Sequence, residues 1–191
     1  GESDPLEVAE GEPVLNTVER YRSGGIEPAP PLREARGKHT ATLLADGSLL
    51  VVGGFDRNGK AIASAELWDP ARGQWQETAP LRQARHGHSA VLLDDGRVMV
   101  AGGVNANGQA IGSVEIRAPL TGAWSAGKPL LMPQFDHAAV RLKDGDVLVA
   151  GGTTLETRPV REVMLWEKAS GEWKPAGRQV PSGAGNDPVT A

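Results

Sequence analysis

Residues 39–54 decide the fold, and they read HTATLLADGSLLVVGG. Two apolar runs of strand length flank Asp46-Gly47, and a Gly-Gly pair ends the second run. An Asp-Gly dipeptide between such runs is a strong signal for a tight β-hairpin, because both central positions of that turn favour positive φ. The second run is apolar on both faces, which is typical of a strand sandwiched between layers. This stretch therefore predicts a buried β-hairpin.

The same pattern occurs three times, at residues 39–54, 88–103 and 137–152. The histidine, the Asp-Gly turn, the Gly-Gly pair and a later tryptophan all recur at a step of 49 residues. Several markers that share one period indicate an internal repeat. Each copy continues into two further strand patterns, so each unit predicts four antiparallel strands. Such a unit is one blade of a β-propeller.

These markers resemble the kelch repeat family over roughly residues 36–178. The resemblance rests on the Gly-Gly pair after a buried strand, the aromatic residue Trp68, and a second tryptophan seven residues later. The opening with Arg36, His39 and Asp46-Gly47 resembles the kelch variant common in exported bacterial proteins. The resemblance implies an all-β propeller in a secreted or cell-surface bacterial protein, and a cytoplasmic location is the alternative.

The chain is predicted to form a single propeller domain over residues 1–191. Its repeats are expected at about 36–84, 85–133 and 134–180, with 5–35 and 182–191 forming a composite blade. Pairing of the N- and C-terminal strands in that blade would close a ring of four blades and hide its edge strands. Kelch propellers usually have six or seven blades, so the alternative is a fragment of a larger ring.

The recurring histidines His39, His88 and His137 precede the first strand of each copy, which lines the central channel of a propeller. Three imidazoles around one axis could hold a metal ion. A residue that repeats in a repeat protein, however, usually repeats a packing or hydrogen-bonding role. No HExxH or CxxC pattern accompanies these histidines. We therefore expect a structural channel ring, with no metal and no other cofactor.

A second repeated feature pairs an arginine with a glutamate, and the third copy departs from it. The corresponding residues are Arg36 with Glu66, Arg85 with Glu115, and Gln134 with Met164. Buried arginine and glutamate at repeating positions predict a structural pair between blades. The alternative is a site for an anionic sugar or carboxylate, because the guanidinium fork fits that geometry.

The loops between the second and third strands differ from copy to copy, and binding residues usually lie on such loops. We expect partner contacts at their tips. The candidate residues are Phe55, Asp56, Arg57, Asn58, Lys60, Asn105, Asn107, Gln109, Thr154, Glu156 and Arg158.

Composition excludes several function classes. A net charge of −4 argues against a surface built for nucleic acid. The longest apolar runs are too short for a membrane-spanning helix. There is no cysteine and Tyr21 is the single tyrosine, so the Cys-crosslinked Tyr of kelch-type copper-radical oxidases is absent.

These exclusions favour a non-catalytic module that binds a protein or a glycan through loops on one face. The alternative is a carbohydrate-active enzyme, epimerase-like or oxidase-like, with its site at the channel mouth. Assembly with another chain to complete a ring is a further possibility.

Overall fold

A computed structural model describes residues 14–178, and the elements in that range are sixteen β-strands, with no helix. The strands form three four-stranded antiparallel sheets, a preceding two-stranded hairpin and a further pair of two-residue strands. The prediction of an all-β chain with four-stranded antiparallel blades is confirmed. Within these residues no helix has the length and apolarity needed to cross a membrane.

The strands follow one another in the order of the repeats. The first hairpin comprises β1 (Val18–Arg22) and β2 (Gly25–Ala29). Blade 1 comprises β3 (Thr40–Leu43), β4 (Leu49–Val52), β5 (Ala65–Asp69) and β6 (Gln74–Thr78). A short strand, β7 (Arg85–His86), precedes blade 2 and pairs with residues Val104 and Asn105 of the strand β10. Blade 2 and its bridging strand are β8 (Ser89–Leu92), β9 (Val98–Ala101), β10 (Val104–Asn105), β11 (Val114–Arg117) and β12 (Trp124–Ala126). Blade 3 comprises β13 (Ala138–Arg141), β14 (Val147–Ala150), β15 (Glu162–Trp166) and β16 (Trp173–Arg178).

The first turn of each blade has the predicted geometry. The glycines Gly47, Gly96 and Gly145 have φ angles of 84°, 80° and 95°. The Asp46 carboxylate accepts the backbone N–H of Ser48 at 2.9 Å, and the other two blades repeat this bond at 3.1 Å. The aspartate therefore caps the turn and fixes the register of the first two strands.

The Gly-Gly pair is required because the next blade packs directly on its backbone. A Cβ atom at Gly53 would lie 2.7 Å from the Arg85 carbonyl oxygen and 2.8 Å from Cε1 of His88. At Gly102 the corresponding atoms belong to Gln134 and His137, both at 2.6 Å. Any larger side chain would push the neighbouring blade away.

The blades pack through repeated apolar clusters and tryptophans. Leu50, Val52 and Ala65 of blade 1 are buried against Val98 and Val100 of blade 2. The tryptophan of each blade donates an indole N–H at 2.9 Å to a carbonyl of the preceding unit: Trp75 to Pro30, Trp124 to Ala79, and Trp173 to Lys128. These tryptophans therefore join each blade to the unit before it.

The first strands β3, β8 and β13 lie side by side, as expected around a central channel. The hairpin β1–β2 lies within residues 5–35, which the sequence analysis assigns to the composite blade. Residues 5–13 and 182–191 of that blade lie outside the described residues. Closure of the ring by the termini and the domain boundaries therefore stay predictions.

Candidate functional site

The channel histidines connect neighbouring blades by hydrogen bonds. Nε2 of His88 is 2.9 Å from the Thr40 hydroxyl of blade 1, and Nε2 of His137 is 2.9 Å from the Ser89 hydroxyl of blade 2. His39 lies nearer solvent, with Nδ1 3.3 Å from the Arg36 carbonyl oxygen. Within residues 14–178, no three His, Asp or Glu side chains converge as metal ligands do.

Burial also sets the charge state of these rings. It lowers the pKa of His88 to about 3 and that of His137 to about 4, although the nearby Asp136 carboxylate raises the latter. Both imidazoles are therefore neutral at physiological pH. The two rings join neighbouring blades by hydrogen bonds, and because they are buried they leave little ring surface for a ligand.

Three residues at equivalent positions of the repeat have a positive φ and lie at the described part of the channel mouth: Lys38, Gly87 and Asp136. The N–H of Gly87 donates to the Lys38 carbonyl at 3.1 Å, and the N–H of Asp136 donates to the Gly87 carbonyl at 2.7 Å. The Lys38 ammonium then bonds the Asp136 carboxylate at 2.7 Å. The charges at this mouth are paired with each other.

The arginine–glutamate pairs are buried, as predicted for a structural role. Arg85 donates to the carbonyl oxygens of Gly102 at 2.9 Å and Ser113 at 2.8 Å, and to the Glu115 carboxylate at 2.9 Å. Glu115 also accepts the N–H of Arg82 at 2.7 Å from the segment that arrives from blade 1. Arg36 and Glu66 repeat this network in blade 1. These arginines are therefore unavailable to a substrate.

In blade 3, uncharged residues replace the buried arginine and glutamate of this network. Gln134 is fully buried, and neither its amide oxygen nor its amide nitrogen has a hydrogen-bond partner. The buried Met164 stands where Glu115 stands in blade 2. The serine that joins the network, Ser113, is replaced by Glu162, which pairs with Arg178 at 3.1 Å instead.

The loops of blades 1 and 2 are tightly capped. Oδ1 of Asp56 accepts the N–H groups of Asn58 at 2.9 Å and Lys60 at 3.0 Å. Asn105 makes the same two bonds, to Asn107 at 2.9 Å and Gln109 at 3.0 Å. These turns expose the side chains beyond the cap: Arg57, Asn58, Lys60, Asn107 and Gln109. Phe55, by contrast, is half-buried and lies edge-on to His86 with ring centroids 5.4 Å apart.

The loop of blade 3 has no such cap. Thr154 takes the place of the capping residue, and its hydroxyl is buried without a hydrogen-bond partner. Thr157 has a φ of 55° where the other two loops have Gly59 and Gly108. A β-branched residue in the left-handed region is strained. Glu156 and Arg158 form an exposed ion pair at 3.1 Å.

A cleft of about 680 Å³ lies beside this uncapped loop. We call it the blade-3 cleft. Its apolar lining comes from Ala110, Met132, Pro133, Leu155, Pro159 and Val160, and its polar lining from Thr154, Glu156, Arg158, Glu162 and Arg178.

The equivalent place in blade 1 is smaller and more polar. Its volume is about 350 Å³, and five of its lining residues are Asn16, Arg33, Glu34, Asp56 and Arg57.

Beside the cleft, blade 3 also lacks a hydrogen bond that clasps two segments together in blades 1 and 2. In blade 2 the Ser113 hydroxyl donates to the Gln83 side chain at 2.8 Å. In blade 1 the same clasp joins Ser64 and Glu34. In blade 3 the residues at Gln83 and Ser113 positions are Met132 and Glu162, and Glu162 pairs with Arg178.

The structure thus gathers three of the candidate loop residues, Thr154, Glu156 and Arg158, around one concavity. Those of blade 2 stay on their own loop, and among those of blade 1 Asp56, Arg57 and Asn58 line the smaller cleft. Sequence reasoning missed Met132, Glu162 and Arg178. The available signal was departure from the repeat, because a buried-network serine becomes a glutamate at Glu162.

Comparison with known proteins finds one sequence motif in part of the chain and a solved structure with a similar fold. Residues 36–82, about a quarter of the chain, match the family model of the Kelch motif. No curated protein matches the chain. The solved structure titled "Structure of YjhT" aligns over 80% of this chain with a TM-score of 0.71 at 16% sequence identity. The alignment covers 55% of the YjhT chain, so this chain spans little more than half of that neighbour.

Proposed function

We propose that the protein is a non-catalytic binding module whose loop face holds a partner protein, with the blade-3 cleft as the main contact. The Kelch motif match supports an interaction module of the propeller type. The observation that carries the assignment to the cleft is its size beside an uncapped loop, since its volume is about 680 Å³ against about 350 Å³ for the equivalent cleft in blade 1. An exported bacterial setting belongs to the same proposal and is supported by the sequence resemblance alone.

The lining of the cleft suggests the chemistry of the bound segment. Met132, Pro133 and Leu155 offer an apolar floor, and Arg158 and Glu156 offer one charge of each sign at the rim. Concave sites of this kind use apolar contact for affinity and a few polar groups for orientation. A short peptide segment with one apolar side chain flanked by charged residues fits this pattern.

The test is to select peptides from a displayed library and measure their affinity for cleft variants. Leu155→Asp and Arg158→Ala should each weaken selected peptides at least about tenfold, which corresponds to about 1.4 kcal/mol. The matched control is Lys60→Ala, because Lys60 occupies the position of Arg158 on the capped loop of blade 1. That control should change affinity by less than about twofold.

Two outcomes would overturn the proposal. The first is a failure to enrich any peptide, or enrichment of peptides whose affinity ignores the cleft variants. The second is turnover of sialic acids or neutral sugars by the purified chain, which would favour an enzyme. A glycan array probed with the same variants tests the glycan alternative, and glycan binding lost in Arg158→Ala would replace the protein partner with a sugar.

A further inference from the structure

The buried glutamate of blade 2 is bound by three hydrogen-bond donors. The backbone N–H groups of Arg82 and Gln83 donate to the Glu115 carboxylate at 2.7 Å and 3.1 Å. The Arg85 guanidinium donates to the same carboxylate at 2.9 Å. Blade 1 repeats this arrangement around Glu66, with two backbone N–H donors at 2.8 Å and 3.2 Å and a guanidinium donor at 2.9 Å. Each of these two blades thus contains a carboxylate-binding site that its own glutamate fills.

Blade 3 has equivalent donors but no carboxylate for them. At the equivalent positions of the repeat, the two backbone N–H groups belong to Leu131 and Met132, and the side-chain donor is the amide of Gln134. The buried Met164 replaces the glutamate, and its thioether sulfur is only a weak acceptor. Within residues 14–178, neither backbone N–H group donates a hydrogen bond, and the fully buried amide of Gln134 has no partner.

These unpaired groups need a physical explanation. Polar groups inside a protein are nearly always hydrogen-bonded, because an unpaired group loses its bonds to water without replacing them. In blade 3 all three donors of one site lack their acceptor together. Two of them are backbone N–H groups, which can only donate, so a cationic ligand would gain nothing from them. The set is suited to an anion.

The blade-3 cleft borders this donor set. Its lining includes Met132 and Pro133 from the segment that carries the donors, and Glu162 from the strand that carries Met164. In blade 2 a side-chain hydrogen bond of 2.8 Å joins the positions equivalent to Met132 and Glu162. Met164 is unbranched and has three rotatable bonds, so it can repack when a ligand group enters from the cleft.

The charges that line the cleft also admit an anion. Glu156 is paired with Arg158 and Glu162 is paired with Arg178, both at 3.1 Å. The lining therefore carries two arginines and two glutamates and has no net negative charge.

We infer that the three donors of blade 3 bind a carboxylate of the partner, in the way that the equivalent donors of blade 2 bind Glu115. The inference rests on the proposed function, because it names the chemical group that the blade-3 cleft recognises. That group is an acidic side chain or the C-terminal carboxylate of the bound peptide. Hydrogen bonds from N–H groups to a carboxylate are charge-assisted and stronger than those between neutral groups. The carboxylate thus fixes the position of the peptide, and the apolar floor adds contact area.

A titration of the 191-residue chain with sodium acetate, followed by amide NMR, tests the donor set directly. The amide protons of Leu131 and Met132 should shift downfield, because each gains a charge-assisted hydrogen bond. Acetamide and sodium chloride at the same concentrations are the controls, and they should shift both signals much less. Signals that stay in place throughout the acetate titration would overturn the inference.

A double variant, Gln134→Arg with Met164→Glu, fills the site from within the chain, as blades 1 and 2 do. It should abolish the shifts caused by acetate and weaken the selected peptides at least about tenfold. Leu120→Glu is the matched control, because it adds a carboxylate at a residue that is 97% exposed and lies outside the cleft lining. The control should change neither measurement. A folded double variant that still responds to acetate and keeps its peptide affinity would contradict the inference.

The selected peptides show which carboxylate is bound. In one arm each acidic side chain is replaced by its amide, and in the other the C-terminus is amidated. Binding to the unmodified chain should weaken at least about tenfold in one of the two arms. If neither arm weakens binding while Leu155→Asp does, the inference is overturned and the proposed function stands. Failure to select any peptide overturns the proposed function, and the acetate titration still decides the donor set.

Discussion

Blades 2 and 3 share a backbone and differ in how they fill it. In blade 2 the buried Arg85 and Glu115 satisfy each other and tie the incoming segment to the third strand. In blade 3 the uncharged Gln134 and Met164 fill the same space, and the amide of Gln134 is left without a partner. The difference teaches that the propeller tolerates loss of the ion pair when both charges leave together.

Loss of the clasp has a further effect at the surface. Met132 and Glu162 cannot form the bond that joins Gln83 and Ser113 in blade 2. The loop beside them also lacks its cap. The repeat thus remains intact near the axis while one blade opens a cleft at its rim, which is how an array of similar units acquires an individual binding surface.

Breaking the pair in blade 2 on one side should have the largest effect. Glu115→Ala leaves the Arg85 cation buried and unpaired, so the free energy of unfolding should fall by about 3–5 kcal/mol. The double variant Arg85→Gln with Glu115→Met copies blade 3 and should cost clearly less. Urea denaturation measures both.

The surface pair of blade 3 gives the matched control for that experiment. Glu162→Ala removes an ion pair whose side chains are 45% and 70% exposed, and it should cost less than about 1 kcal/mol. A double variant as unstable as Glu115→Ala would contradict the comparison, because it would show that blade 2 needs the charges themselves.

Acid should weaken both joints through their histidines. His88 has a pKa near 3 in the folded protein against 6.5 when unfolded, so below pH 6.5 the unfolded chain binds the extra proton. Stability is therefore full above pH 6.5 and falls as the pH drops towards 3. At pH 5 the loss should be about 2 kcal/mol for His88, with a similar loss for His137.

Urea denaturation between pH 7 and pH 5 measures this effect, and His88→Gln is the informative variant. Its amide can still bond the Thr40 hydroxyl, but it does not titrate in this range, so it should remove the part of the pH dependence that comes from His88. Stability that stays constant between pH 7 and pH 5 would contradict the assignment of neutral buried rings.

The smallest effect should come from repairing the loop of blade 3. Thr157→Gly removes the backbone strain of a β-branched residue at a φ of 55°. It should therefore raise the free energy of unfolding by about 1 kcal/mol. Adding Thr154→Asn restores the capping side chain that Asn105 provides in blade 2. A thermal melt measures the change. Destabilisation by Thr157→Gly would contradict the strain at this position.

Much of the scaffold could be predicted from sequence because local chemistry specifies it. Asp46-Gly47 specifies a turn, Gly53 allows the next blade to approach, and the tryptophans recur in phase with the buried strands. The burial of Arg85 with Glu115 was also predictable, since both recur at fixed positions in a repeat. These features repeat, and repetition in the sequence reflects repetition in the packing.

The blade-3 cleft could not be predicted in the same way. Gln134 and Met164 were visible as departures from the repeat, but the opening depends on Glu162 turning to Arg178 and away from the incoming segment. The pairing of Glu162 with Arg178 depends on the length of the side chains and on which charges lie nearby in the folded chain. The hydroxyl partners of His88 and His137 were missed for a related reason, since they lie in the preceding blade.

The contact between the Gly-Gly pair and the following histidine has a consequence for how such a chain can grow. Gly53 receives the ring of His88, and Gly102 receives the ring of His137 in the same manner. The two glycine–histidine contacts are equivalent. After removal of one complete 49-residue unit, His137 would therefore contact Gly53. Gene duplication or deletion in whole units therefore preserves this contact between blades, whereas a partial unit would leave a Gly-Gly pair without its histidine.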